Sequence, residues 1–361
     1  MGTDKGSASR LLKAMRSRDP IAVVHLIPGP EPLRRLLRAA RDRGVSEALI
    51  VAGEKSTDEF ESLVRSAAGD RVRFDGILST LLPEARVQNE RRLKQLLYRG
   101  QSQLKGYSVD VDFTAIFIHP APSETELEYG VVSGMLGVRR FRPNAVVRLV
   151  ARRISDEHLP WQGTTLQGKP IDHTVVGRLD QFCTAPTAEV VVEEAGDSVS
   201  TVLAGSAYGP SHAVDLVLGH RSRLPAARYN VDGGRSLSGA GVEVDKPTKL
   251  LHLDVFVHTD VYAGADPGLV IVDTAFRGMA NINDPRRVPD RVDLIERVDS
   301  LGRGLGRVRA SHIACYAEML HHVVGSCGWN PDQFRGYRCL MQHPVYGTQV
   351  TMGFVRPQKR V

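Results

Sequence analysis

Several things are missing from this sequence, and each absence excludes something. It has four cysteines, Cys183, Cys315, Cys327 and Cys339. No two form a C-x-x-C pair, which argues against a zinc knuckle, a thioredoxin-type centre or a secreted disulfide framework. Reduced, mostly buried thiols are expected instead. No window approaches eighteen uninterrupted apolar residues, so no membrane span is expected. The start, Met1 to Ser7, lacks a basic region followed by an apolar run, and the expectation is a cytoplasmic protein. Gly6 stands where an acyl-acceptor pattern after Gly2 would need Ser or Thr. There is no repeat at a fixed period.

Nucleotide signatures are incomplete as well. In Gly302-Arg303-Gly304-Leu305-Gly306-Arg307 an arginine occupies the place of the last glycine of the dinucleotide fingerprint, and Gly53-Glu54-Lys55-Ser56 has the wrong spacing for a P-loop. Neither an NAD nor an ATP signature is present, which disfavours hydride transfer. The arginines of the first regular helix, Arg34, Arg35, Arg38, Arg41 and Arg43, lie largely off its Leu33/Leu36/Leu37 stripe, without interleaved aromatics or a helix-turn-helix. A solvated face is favoured over a nucleic-acid footprint.

What is present is the composition of a folded protein. The chain has 361 residues, 42% of them hydrophobic, and 47 Lys+Arg against 41 Asp+Glu give a net charge of +6. That is enough for one large domain or two ordinary ones, and the modest basic excess tolerates anionic ligands.

Along the chain, a polar arm (residues 1–18) precedes apolar runs at Ile21–Ile27, Ala48–Ala52 and Arg71–Leu78, with helical patterns between them. This is the strand-helix grammar of a mostly parallel sheet with crossover helices. A long helix over Glu84–Gln103 leads to an alternating strand, Tyr107–Ile118, that carries Asp110 and Asp112 on one face. Glu124–Leu136 reads as a helix, Ala145–Ile154 as strand or short helix, and His173–Phe182 as a helix. Short β runs follow at Ala188–Glu194, Ser198–Ala204 and His212–His220, and Arg221–Asp245 reads as a long loop. Leu269–Ala275 should form a hairpin with the strand before it. Tyr337–His343 and Gln349–Val355 should form a final strand pair, its first member carrying Tyr337, Cys339, Met341 and His343 on one face. The architecture expected is α/β plus α+β: an α/β domain over 19–160 and an α+β domain over 161–361, with a largely antiparallel sheet and a packed helix.

Leu250 to Val261 carries the most chemistry. In a strand, His252, Asp254, Phe256, His258 and Asp260 share one face, spaced about 7 Å apart at successive positions. Imidazole and carboxylate are ligand types for a divalent metal, with His252, Asp254 and His258 as the donors, or they serve as general acid/base groups together with Asp260. A polar sheet face is the plain alternative. The loop Gly302, Arg303, Gly304, Arg307 supplies backbone amides and guanidinium groups for an anionic part of a substrate, with Phe256 lining the pocket. In the expected helix Ser311–Val324, His312, Cys315, Met319 and His322 form one stripe. A thiol activated by a neighbouring imidazole is weighed there against a buried core stripe.

The function expected is that of an intracellular small-molecule enzyme, lyase-, cyclase- or hydrolase-like, acting on an anionic substrate by metal-assisted or acid/base chemistry. The alternative is a non-catalytic ligand-binding or assembly protein, a homo-oligomer with the His/Asp row at a subunit interface.

Overall fold

Three segments that read as strands in the sequence are helical in the computed structural model, which describes residues 5–153, 163–171, 177–195, 198–230 and 236–358. Ile21–Ile27 belongs to α2 (Pro20–Leu26), where the Asp19 side chain caps Ile21 N and Pro20 takes a first-turn position. Ala48–Ala52 lies inside α4 (Glu47–Ala68). Arg71–Leu78 falls in α5 (Arg71–Ser79), whose Asp70 cap accepts from Arg73 N at 2.8 Å. Five to eight apolar residues do not distinguish a strand from a buried helix, and here the caps decide. With α1 (Lys5–Arg16), α3 (Pro30–Arg41) and the first half of α6 (Pro83–Lys105), these helices make a first compact unit, Met1–Leu93. Its core gathers Val64, Phe74 and Leu78 against Val24, Phe60 and Ala68. Arg34, Arg38 and Arg41 are engaged with surface carboxylates of α3 and α4, which fits a solvated face.

The second unit, Lys94–Val361, holds all the strands among the described residues. Its strands are β1 (Tyr107–Pro120), β2 (Glu126–Arg140), β3 (Arg148–Arg153), β4 (Gly163–Thr165), β5 (Val190–Ala195), β6 (Ser198–Leu203), β7 (Val214–Pro225), β8 (Leu237–Val244), β9 (Thr248–His258), β10 (Gly268–Asp273), β11 (Asp299–Arg303), β12 (Phe334–Gln342) and β13 (Thr348–Val355). Among the described residues the second half of α6 and a further helix, α7 (Tyr316–Cys327), complete it. Seven strands form a mixed sheet in the order β11-β12-β9-β1-β2-β7-β4, parallel only between β1 and β9. Two antiparallel three-stranded sheets, β10-β13-β8 and β3-β6-β5, accompany it.

Several local expectations change. Glu124–Leu136 is mostly strand β2, where Gly130 lets α7 approach: a β-carbon there would stand 2.9 Å from Val323 and 3.0 Å from Trp329. The supposed loop Arg221–Asp245 contains the end of β7 and all of β8, with 231–235 outside the described residues. Part of the helix expected at His173–Phe182 also lies outside them, and what is described ends in a single 3-10 turn, Asp180–Phe182. The anticipated hairpin of β9 with β10 does not form, nor does the terminal pair β12/β13. Both edges of β9 are taken by β1 and β12, while β10 and β13 pair in the smaller sheet.

The large sheet is covered on both faces. Phe113, Ala115, Phe117 and Phe256 pack against Tyr316, Met319, Leu320 and Val323 of α7. On the reverse face Leu251, Leu253, Val255 and Val257 meet Val350, Met352 and Phe354 of β13. A strand buried on both faces has no solvent side. His252 and Asp254 are therefore enclosed on the side that α7 covers.

Candidate active site

His252 and Asp254 are 0% exposed. Their parallel neighbours on β1 are Phe113 and Ala115, so the pair sits in an apolar wall that gives a carboxylate nothing. The compensation comes from elsewhere. Arg338 on β12 is the direct cross-strand partner of Asp254, and it donates from Nε to Oδ1 at 2.8 Å and from Nη2 to Oδ2 at 2.7 Å. The Tyr316 hydroxyl, at the first turn of α7, donates to Oδ2 at 2.6 Å. Burial pushes the Asp254 carboxyl upward, but the bonds from Arg338 and the contact with His252 outweigh it and hold the group below the usual carboxylate range. The same burial, reinforced by the Asp254 charge, raises the Tyr316 phenol well above its ordinary value, so it stays a donor.

His252 extends the network outward. Its Nε2 stands 2.9 Å from Asp254 Oδ1, a charge contact set off the ideal hydrogen-bond line. Its Nδ1 is 2.8 Å from Nε2 of His312, and the Tyr316 ring lies 5.0 Å away. His312 is half-buried, in the turn that precedes α7. Burial, then the neighbouring His252 and Arg338, lower its pKa below the ordinary value. Ser311 and Ile313, which flank it, line an open hollow of about 290 Å³ together with Arg309, Cys315 and Glu318. Arg338 ties this rim to the core by donating from Nη1 to Arg309 O at 2.7 Å.

The chain Asp254–His252–His312 thus runs from a wholly buried carboxylate to a half-exposed imidazole. With the Nε2 proton of His252 facing Asp254, its Nδ1 accepts from His312 Nε2–H, and Nδ1 of His312 keeps a lone pair; this tautomer follows from the network. A proton taken up at His312 Nδ1 can be matched by transfer of the Nε2 proton to His252, which places the positive charge beside Asp254.

The other residues singled out in the sequence lie apart from this chain. His258 is six residues along the strand from His252, about 20 Å, whereas ligands of one ion lie about 2 Å from it. Its ring packs on His119 (4.8 Å) and Phe334, and its Nδ1 accepts from Asp260 N at 3.2 Å. The Asp260 side chain is 78% exposed, beyond the end of β9. Phe256, expected to line the pocket, stacks on Phe117 at 4.7 Å inside the core. Gly302, Arg303 and Arg307 are exposed and Gly304 half-buried, on β11 and the turn after it; Arg303 donates to Asp332 O at 3.0 Å. Among the described residues no three His, Cys, Asp or Glu side chains group to hold a metal ion. His252 Nδ1 and both oxygens of Asp254 are engaged by protein partners, and His252 Nε2 points toward Asp254.

Tyr316 and Arg338 were not legible as site residues. Each lies far from Asp254 in sequence, 62 and 84 residues respectively, and only the pairing of β12 with β9 and the start of α7 bring them in. His312 and Cys315 precede the helix and do not lie on its stripe.

No protein-family model matches the chain, and no curated protein does. Among solved structures, a candidate protease from Parabacteroides distasonis is similar at a TM-score of 0.27 and 8% identity over 69% of this chain and 40% of that one. An M1 zinc metallopeptidase from Deinococcus radiodurans is similar at a TM-score of 0.25 and 11% identity, over 69% of this chain and 42% of that one. The chain thus spans less than half the length of either, and neither likeness carries a fold or an activity over. No described helix is long and apolar enough to cross a membrane.

Proposed function

We propose that this protein is an enzyme of general acid/base chemistry acting on a small anionic substrate bound at His312, beside the hollow that its neighbours Ser311 and Ile313 line before α7. His312 exchanges the proton with substrate, His252 relays it, and Asp254 with Arg338 and Tyr316 stabilises the charged state. The observation that carries the reading is the Asp254–His252–His312 series, a charge contact of 2.9 Å followed by a hydrogen bond of 2.8 Å, ending at a half-buried imidazole. A structural core gains little from a buried carboxylate, two imidazoles, a phenol and a guanidinium in one network, since apolar residues of like volume stabilise as well. Arg309 and the backbone amides that open α7 supply the positive potential for a carboxylate or phosphate. The rival reading, an interchain His/Asp row, is disfavoured because His252 and Asp254 are enclosed within a single chain.

A thiol nucleophile is the second reading, favoured by one observation. Cys315 is exposed, lines the same hollow and holds a left-handed backbone, φ 55°, at the N-cap of α7.

The test is a panel of ester, lactone, dehydration and isomerisation reactions on carboxylated and phosphorylated substrates, run with wild type, His312→Gln and Cys315→Ala. Acid/base catalysis by His312 predicts a loss of about 10²–10⁴-fold in His312→Gln with native circular dichroism and a small effect of Cys315→Ala. Turnover that survives His312→Gln contradicts it.

A further inference from the structure

The large sheet carries a second polar hollow on its other face. Side chains alternate along β1, so Asp112 and Thr114 point away from the α7 side that Phe113 and Ala115 occupy. They open into a hollow of about 250 Å³ bounded by Ser133, Glu243, Asp245 and Lys246, with an apolar floor from β2 and β7. Lys246 Nζ is 2.5 Å from Asp245 Oδ1 and 3.6 Å from Asp112 Oδ2, so one ammonium is shared between two carboxylates and stands farther from Asp112. Both side chains are largely withdrawn from solvent, 11% exposed for Lys246 and 15% for Asp112. Thr114 and Ser133 are cross-strand partners, and among the described residues neither hydroxyl has a hydrogen-bond partner.

Three carboxylates against one ammonium leave the lining with an excess of negative charge. An anion entering here would meet Asp112, Glu243 and Asp245. A primary ammonium has three donors, which match the Asp112 carboxylate and the two hydroxyls, while its methylene chain lies along the apolar floor. A second ammonium would reach Glu243, which is exposed at the rim. From this we infer that the hollow is a ligand site for small aliphatic amines, with Asp112, Thr114 and Ser133 as the ammonium receptor and diamines as the best fit. Burial raises the Asp112 carboxyl, and a bound ammonium reverses that by supplying the charge Lys246 gives only at a distance. The site is on the opposite face from His312 and does not depend on chemistry there.

The experiment is thermal unfolding and titration calorimetry of the full chain with putrescine or ethanolamine, and with butanediol and succinate as neutral and anionic controls at matched ionic strength. Putrescine at about ten times its Kd raises the midpoint by about 2–4 °C, with ethanolamine weaker and both controls inert. Asp112→Asn abolishes the response. Where that variant does not fold, Ser133→Ala and Glu243→Gln decide, each weakening putrescine about 3–10-fold. Absence of any amine binding by calorimetry at about 10 mM overturns the inference, since affinities weaker than this amount to less than about 3 kcal/mol. An undiminished response in the variants, or succinate binding more tightly than putrescine, overturns it equally.

Discussion

Arg338 and Asp254 face each other across β12 and β9 as direct cross-strand partners, joined by two hydrogen bonds of 2.8 and 2.7 Å, with Asp254 wholly enclosed. Removing the guanidinium leaves a buried charge with only Tyr316 and His252 for company. Arg338→Met should therefore destabilise the second unit by about 3–5 kcal/mol, read from the urea midpoint. The double variant Arg338→Met/Asp254→Asn, which removes the charge too, should recover a large part of that loss. A double variant no more stable than the single would contradict the pairing.

The pH dependence of stability has two parts. Asp254 has its folded pKa lowered, so its contribution is complete above the unfolded value near 3.9 and is lost as pH falls through the still lower folded pKa. His312 is also lowered, but it is a base: folding favours its neutral form, so stability falls as pH drops below about 6.5 and levels off below the folded pKa. His119 and His343 are shifted the same way by burial and add to that slope. The part belonging to His312 is the difference between wild type and His312→Gln, measured by urea titrations between pH 7.5 and pH 5. Identical slopes in the two proteins would show that His312 is not held neutral.

Cys315 carries a left-handed backbone that a side chain adopts at a cost of about 1–2 kcal/mol. Cys315→Gly relieves that strain and should stabilise by about 0.5–1 kcal/mol after the added freedom of the unfolded chain is counted. Because the thiol is lost as well, the variant separates the two functional readings. Under acid/base chemistry it is a stabilised, active protein, and under thiol chemistry a stabilised, inactive one.

Gly336 leaves room for the Phe256 ring. A β-carbon there would stand 2.9 Å from Phe256 Cε1 and 3.1 Å from Leu301 Cβ. Phe256 cannot give way easily, being stacked on Phe117 with Phe334 edge-on to Phe117. Gly336→Ala should cost about 1–3 kcal/mol by overpacking, seen as a lowered thermal midpoint with an altered near-ultraviolet aromatic signal. An unchanged midpoint would mean that the stack is looser than these distances say.

The part of this protein legible in its sequence is the part encoded locally. The alternation of Leu250 to His258 marks β9 and brings His252 and Asp254 onto one face. The same regularity misleads further on, because a shared face is not a shared site: Phe256 closes the row, and His258 belongs with His119 and Phe334. What completes the site is non-local. Arg338 is placed by the pairing of β12 with β9, and β9 itself runs parallel to a strand well over a hundred residues earlier, a pairing that no short-range pattern announces. In the first unit the misreading has a different cause. The runs at Ile21 and Arg71 are too short to show their period, and the helix signals lay just upstream of them, in the N-caps Asp19 and Asp70.

The proton relay is tested most directly by nitrogen NMR of the histidine side chains across a pH titration, in wild type and in His312→Gln. His312 should take up a proton at a pH below the ordinary histidine value, with the Nδ1 resonance of His252 moving in the same step and that response missing from the variant. A His252 ring whose nitrogens stay still while His312 titrates, or one that behaves identically without His312, would contradict the relay.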